Sequence, residues 1–412
     1  MKRLEELPAF YSVVFDGLHA QLLPSVTQIF QLELAWLETQ VLDSYQLKER
    51  SAFFQTIDEI PTKHYLLFEK NKISTGYAVH DLYPSRARLH PQIVKGILNA
   101  VQVTRGDVVL DPLCGSGTTN LEAIFLGADS IAVDLNPINR LMTRVKYEVL
   151  KLPLETLEQI PDRAQELFET VSDPAKLESI RAMENSEEGT IHYLALLAFL
   201  HALRWASNRQ SRSASRSPKV SPALFRRALH HYYRIIHTFV TNPEFHPYEL
   251  GSLQVLPNVD ARTLEGIEDE SVDVVLTSPP YSLASDYVRS DYPQLQFLGI
   301  DVHELREKLI GLTPKNVRER VERYFTDMEQ VFGAIARVLK PHKWFVLVIG
   351  KPTLREAPAD FLDRIQQMVE QQGFRLYRDI PKPIKGTRDE WHEEHILFYR
   401  KEGSRSETGV TE

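Results

Sequence analysis

Residues 107–134 constrain the fold of this chain more than any other segment. They contain two short apolar runs separated by a glycine-containing turn and a helical pattern, in the order Asp107 to Pro112, Leu113 to Thr119, Asn120 to Leu126 and Ser130 to Asp134. A strand, a turn, a helix and a second strand in this order form a βαβ unit with parallel strands. Further strand patterns alternate with helices after residue 250. The chain is therefore predicted to have an α/β fold with a doubly wound, mainly parallel sheet.

The turn inside this unit has the features of a nucleotide site. Asp111 stands at the carboxyl end of the first strand, Pro112 ends strand pairing, and Gly115 and Gly117 let backbone approach a ligand closely. A third glycine is missing, so the turn is not a dinucleotide fingerprint. Asp134 ends the next strand about 20 positions after the turn, where an acid can accept the hydroxyls of an adenosine ribose. Asp134 could alternatively cap the following helix.

A second segment predicts a rigid pocket. The apolar run 272–276 is followed by Thr277-Ser278-Pro279-Pro280-Tyr281. Two consecutive prolines cannot continue a strand or a helix, so the chain must stay extended and stiff at the strand's end. Carbonyl oxygens followed by an aromatic ring suit a planar heterocycle with an exocyclic amine, such as a nucleobase.

Together, the two segments resemble the amino-group DNA methyltransferases that use S-adenosyl-L-methionine. The resemblance implies a seven-stranded Rossmann-like sheet whose last strand is antiparallel. It also assigns cofactor contacts to the glycine turn and to three neighbouring strand ends, namely Asp111, Pro112, Cys114, Gly115, Gly117, Thr118, Thr119, Asp134, Asp260, Ala261 and Thr277. The catalytic residues it implies are Ser278, Pro279, Pro280 and Tyr281.

In that family, serine before the double proline is associated mainly with N4-cytosine methylation and aspartate with N6-adenine methylation. Ser278 therefore favours cytosine N4, with adenine N6 as the alternative. Two other functions stay open: a tRNA guanine-N2 methyltransferase, and a non-catalytic binding protein on the same fold. The target base would have to be flipped out of a duplex or already be single-stranded. The expected setting is a restriction-modification or host-defence system.

The rest of the chain adds accessory parts. We predict a helical N-terminal segment (1–75), a cofactor-binding half (76–150), a helical insertion (151–250), a catalytic half (251–401) and a disordered tail (402–412). The formal charge of −8 argues against general attraction to a polyanion, so DNA contact is assigned to the basic stretch from Arg204 to Arg234. RNA is the less favoured partner. We predict no metal site, no membrane span and a cytoplasmic location.

Overall fold

The computed structural model describes residues 52–57, 63–68, 78–84, 89, 91–210, 218–242, 245, 247–280, 287–350, 352, 358–385 and 391–403. The strands are β1 (Ala52–Ile57), β2 (Lys63–Phe68), β3 (Val108–Asp111), β4 (Asp129–Val133), β5 (Leu253–Leu256), β6 (Val272–Thr277), β7 (Leu339–Gly350), β8 (Phe374–Lys385) and β9 (Trp391–Lys401). The helices are α1 (Pro91–Ala100), α2 (Thr118–Phe125), α3 (Pro137–Glu148), α4 (Leu154–Glu158), α5 (Ala164–Val171), α6 (Leu177–Ala182), α7 (Glu187–Gln210), α8 (Pro222–Val240), α9 (Tyr287–Ser290), α10 (Tyr292–Phe297), α11 (Val302–Lys308), α12 (Val317–Val338) and α13 (Phe361–Gln371).

Seven strands form one sheet in the order β5-β4-β3-β6-β7-β9-β8. The first five are parallel, and β9 runs antiparallel to both β7 and β8. The mainly parallel seven-stranded sheet with an antiparallel last strand is therefore confirmed. Strand order reverses between β3 and β6, so the connections that follow these two central strands leave in opposite directions. Such a switch point opens a ligand crevice at the carboxyl ends of the strands.

Residues that alternate along the central strands bury both faces of the sheet. Val109, Val274 and Val346 belong to the core beneath α1. Their successors Leu110, Val275 and Leu347 belong to the core beneath α12 and α13. Because side chains of a strand alternate between the two faces, a strand covered by helices on both sides must be apolar at every position. All six residues of β6 are buried, and its two polar members, Asp273 and Thr277, lie toward its ends.

The described chain between β4 and β5 is helical and contains no strand. Helices α7 and α8 form the centre of this helical insertion. Phe225 of α8 contacts Phe168 of α5 at 5.5 Å between ring centroids, and Phe199 of α7 contacts Phe297 of α10 at 4.7 Å. The second contact joins the insertion to the segment that follows the double proline. The limits assigned to the domains remain predictions.

The N-terminal segment does not have the helical structure predicted for it where the structure describes it. Strands β1 and β2 form an antiparallel hairpin, with Ala52 opposite Phe68 and Ile57 opposite Lys63. The prediction of helix is thus wrong for 52–57 and 63–68. These hexapeptides are rich in aromatic and β-branched residues, a composition that favours strands. The remainder of 1–75 and residues 404–412 of the predicted tail lie outside the described residues.

None of the helices in the described part of the chain is long and apolar enough to cross a membrane.

Candidate active site

The two predicted motifs meet at the switch point. β3 pairs directly with β6, with Val109 beside Val274 and Leu110 beside Val275. This register brings the end of the glycine-turn strand beside the end of the strand that precedes the double proline. The Thr277 Oγ1 donates a 2.7 Å hydrogen bond to Asp111 Oδ1. One buried contact therefore links the predicted cofactor site to the predicted catalytic segment.

Asp111 is a buried carboxylate at the centre of this edge. It is 3% exposed, and its Oδ1 also accepts the Leu113 amide at 3.1 Å. Burial raises the pKa of Asp111 to about 6, although hydrogen bonds from Thr277, Leu113 and Thr119 act in the opposite direction. The nearby Asp134 carboxylate raises it further. A buried acid that is this costly to ionise is well placed to bind a cationic ligand group.

The glycine turn is tightly packed. Gly117 has φ of +74° and precedes the first residue of α2. A Cβ at Gly117 would lie 2.6 Å from Cγ2 and Oγ1 of Thr143, so no larger residue fits without displacing a buried side chain. Cys114 is buried beside the same threonine, with its Sγ 3.8 Å from Thr143 Oγ1. Burial raises the pKa of the Cys114 thiol well above its usual range, so this thiol is a packing group and not a nucleophile.

Asp134 holds the turn and the start of α3 together. Its Oδ2 accepts the Gly115 amide at 3.0 Å and the Asn139 side chain at 2.8 Å, while its Oδ1 accepts the Asn136 amide at 2.7 Å. Burial raises the pKa of Asp134, opposed by these hydrogen bonds and by the charge of Arg140. The helix cap itself is Asn136, whose side chain accepts the Ile138 amide at 3.0 Å. The alternative role for Asp134 as the cap is therefore wrong.

Asp260, a predicted cofactor contact, has an unexpected partner. Asp260 accepts three hydrogen bonds from Arg262. One comes from its amide at 2.9 Å and two come from its guanidinium, at 3.0 and 2.6 Å. Arg262 also donates to Asp327 at 2.9 Å. Arg140 links the end of β4 to the segment after β5, because it donates to the Asp134 carbonyl at 2.7 Å and to the Asn258 side chain at 3.4 Å.

The structure places the other predicted site residues around this edge, apart from Tyr281, which lies outside the described residues. Ser278 and Pro280 are half-buried, and Pro279 is buried. The remaining members of the predicted cofactor set that are fully buried are Pro112, Thr118, Thr119 and Ala261.

Sequence reasoning missed Lys146 and Arg262, and it assigned Arg204 to DNA contact and not to the protein contacts that it makes. Lys146 is completely buried, and its Nζ donates to the Ser116 carbonyl in the glycine turn at 2.9 Å. Arg204 of α7 donates to the Pro84 carbonyl at 2.9 Å and to Asp291 at 3.4 Å. No motif could have identified them, because a lone charge on an amphipathic helix is usually exposed.

One group in the insertion has the geometry to hold a cation. Ligand atoms of Glu166, Glu188 and His192 lie within 4.8 Å of one another. Arg163 already occupies both carboxylates, through bonds of 2.8 Å to Glu166 and 2.5 Å to Glu188. This guanidinium supplies the positive charge that a metal ion would bring.

The sheet order and the crevice at its switch point are those of a Rossmann-like α/β methyltransferase fold. Within it, residues 81–182 match the family model of the RMKL-like methyltransferase domain. This match includes β3, the glycine turn, β4 and the beginning of the insertion. The resemblance to S-adenosylmethionine-dependent methyltransferases is thus confirmed, and S-adenosyl-L-methionine is the cofactor it supports.

Curated relatives are similar over different lengths. The chain is 24% identical over 330 residues to the Type II methyltransferase M.BsoBI of Geobacillus stearothermophilus, covering 66% of this chain and 63% of that protein. It is 32% identical over 111 residues to the Type II methyltransferase M.MjaII of Methanocaldococcus jannaschii, covering 26% of this chain and 20% of that one. A tRNA (guanine(10)-N2)-dimethyltransferase of the same archaeon is 30% identical over 88 residues, or 21% of this chain and 23% of the relative.

The site has the features that S-adenosyl-L-methionine requires. The cofactor carries a positively charged ammonium and a positively charged sulfonium, and Asp111 and Asp134 place two buried carboxylates at one sheet edge. Gly115 and Gly117 have positive φ angles and no side chains, so a ligand can approach the backbone of the turn closely. The donor set thus fits a cationic nucleoside.

Proposed function

We propose that this protein is a site-specific DNA methyltransferase that modifies the exocyclic amine of a flipped base, namely N4 of cytosine. The observation that carries this proposal is the 2.7 Å hydrogen bond between Thr277 and Asp111. Ser278, the first of the predicted acceptor residues, directly follows Thr277, which makes this buried contact with Asp111 of the predicted cofactor site. A methyl group transfers only when donor and acceptor are held close and in line, and adjacent parallel strands provide such a fixed arrangement.

The chain's own residues would activate the amine. An exocyclic amine on cytosine is a weak nucleophile because its lone pair is delocalised into the ring. The Ser278 side chain and the Pro279 carbonyl would accept its hydrogens and draw the nitrogen toward a tetrahedral geometry. Tyr281 would stack on the base. The bound cofactor supplies an electrophilic methyl group on a sulfonium, and no covalent bond to the protein is needed.

The proposed cofactor contacts follow the same geometry. Asp111 would face the cofactor's charged end, Asp134 would accept the ribose hydroxyls, and Asp260 would contact the adenine. The Oδ2 of Asp260 accepts one described hydrogen bond, from Arg262, and so keeps acceptor capacity for an amine. The similarity to two Type II methyltransferases supports DNA as the substrate. The shorter similarity to a tRNA guanine-N2 dimethyltransferase makes that activity the second candidate.

A comparison of two serine substitutions tests the proposal. Ser278→Ala removes the proposed acceptor, whereas Ser271→Ala removes a hydroxyl just before the opposite end of β6 that donates to the Glu268 carbonyl. We expect Ser278→Ala to lower kcat by about a hundredfold, as is typical for the loss of one transition-state hydrogen bond. Cofactor affinity should stay unchanged in both variants, and Ser271→Ala should keep its activity.

Single-molecule sequencing of DNA from cells that express each variant identifies the base and the recognition site together. N4-methylcytosine that disappears with Ser278→Ala supports the proposal. N6-methyladenine without N4-methylcytosine would overturn the cytosine assignment while leaving DNA methylation intact. Methyl transfer to tRNA and to no DNA would instead favour the guanine-N2 alternative.

A further inference from the structure

One long helix of the insertion exposes positive charge alone. Helix α8 buries Phe225, Ala228, Leu229, Tyr232 and Ile236 in the insertion's core. Its exposed side carries five basic residues, which we call the α8 basic face: Arg226, Arg227, His230, His231 and Arg234. The 19 residues of α8 include no aspartate or glutamate.

An ordinary solvated helix face is the simpler explanation, and α12 shows what such a face looks like in this chain. The 22 residues of α12 are also amphipathic, yet they mix Arg318, Arg320 and Arg323 with Glu319 and Glu322. The whole chain has 56 aspartates and glutamates and 48 lysines and arginines. A long helix without a single acid is therefore a departure from the composition of its own protein.

The arginines of this face also lack the ion pairs that other arginines make. Arg364 of α13 pairs with Glu322, and Arg163 pairs with two glutamates. Within the described residues, no carboxylate lies within ion-pair distance of Arg226, Arg227 or Arg234. Unneutralised guanidinium groups on an otherwise acidic protein attract anions with closely spaced charges.

The face lies on a helix that packs against α7, and α7 in turn contacts the segment after the double proline. The Arg227 guanidinium lies over the ring of Trp205 at 5.5 Å, near the end of α7. The neighbouring Arg204 of α7 turns inward to bond Pro84 and Asp291, and so joins α7 to the segment after the double proline. Arg204 was assigned to the DNA-binding stretch from the sequence, but its side chain is only 13% exposed and is committed to these protein contacts.

We infer that the α8 basic face binds the phosphate backbone of duplex DNA beside the active site. Residues 226 and 234 are eight positions apart, or about 12 Å along a helix. One DNA strand places a phosphate about every 3.4 Å along the duplex axis, so the face spans about three to four phosphates. This inference rests on the proposed function, because it assigns the substrate-holding surface of the same site.

Salt-dependent binding of a short fluorescent duplex tests it. Arg226→Gln with Arg234→Gln removes two charges at exposed positions, and Arg318→Gln with Arg375→Gln removes two exposed charges from α12 and β8 as a matched control. We expect the α8 pair to weaken binding about tenfold and to reduce the slope of log K against log salt by about two. The control pair should match the unmodified protein in both quantities. S-adenosylmethionine affinity and the unfolding midpoint should not change in either pair.

The outcomes separate this inference from the proposed function. If the protein methylates DNA but the α8 pair binds duplex with unchanged affinity and slope, the α8 assignment is wrong and the enzymatic proposal stands. If the unmodified protein binds S-adenosylmethionine but methylates no DNA, the proposed function fails. Tighter binding to a tRNA than to the duplex, with the same loss in the α8 pair, would overturn duplex DNA as the partner of this face.

Discussion

Replacement of the buried Asp111 by asparagine should make the protein more stable and less able to bind its cofactor. The hydrogen bonds that this carboxylate accepts from Thr277 and Leu113 both reach Oδ1. An amide oxygen in the same place can accept both, so Asp111→Asn keeps the local geometry. It removes a negative charge that burial and the nearby Asp134 make costly.

The sign and size of the stability change follow from the pKa of Asp111. The folded-state pKa of Asp111 is about 6, above its ordinary value of 3.8, so the folded protein binds the proton more tightly. The wild-type protein therefore loses stability as pH rises through this window, and the full cost is present above about pH 6. At about 1.4 kcal/mol for each pKa unit, the difference amounts to about 3 kcal/mol.

Urea unfolding of the two proteins across pH measures this cost. The gap in unfolding free energy should grow from about 1.6 kcal/mol at about pH 5 to about 3 kcal/mol at about pH 8, with the variant more stable. Asp162→Asn, at an exposed position, controls for the change in net charge. A gap that is constant with pH, or that favours the wild type more as pH rises, would refute the reasoning.

Calorimetry should also show weaker S-adenosylmethionine binding by the variant, because the proposed partner of the cofactor's cationic end is gone.

Two further substitutions test contacts around the site. Gly117→Ala should cost about 2–5 kcal/mol of unfolding free energy, from the positive φ and from the 2.6 Å clash with Thr143, whereas Gly266→Ala, at φ +83° with open space, should cost only about 1–2 kcal/mol. Equal unfolding midpoints for these two variants would contradict the packing argument. Arg204→Met should lower kcat with little effect on S-adenosylmethionine affinity, because it releases α7 from Pro84 and Asp291; an equal loss in cofactor affinity would show that the contact serves general stability instead.

The central sheet could be predicted from the sequence because local patterns specify it. Short, mainly apolar runs rich in β-branched residues, such as 272–276, are typical of strands covered on both faces, and the glycine turn marks where the first of them ends. The N-terminal hairpin was missed for a physical reason as well. Strands β1 and β2 are held by pairing with each other, and their short aromatic-rich runs also fit an amphipathic helix when no turn glycine separates them.

The sequence by itself determined the class of chemistry, because two short motifs require particular residue types wherever they fold. Glycine at a positive φ and proline without an amide hydrogen act locally, so their consequences can be read before any contact is known. Only the tertiary structure decided how the charged groups are used. In the folded chain, Thr277 bonds Asp111 and Arg262 bonds Asp260. Arg204 bonds the Pro84 carbonyl, and the α8 basic face is exposed. Whether a long charged side chain meets an acid, a carbonyl or solvent depends on segments far away in the chain, and no local pattern records which of them it meets.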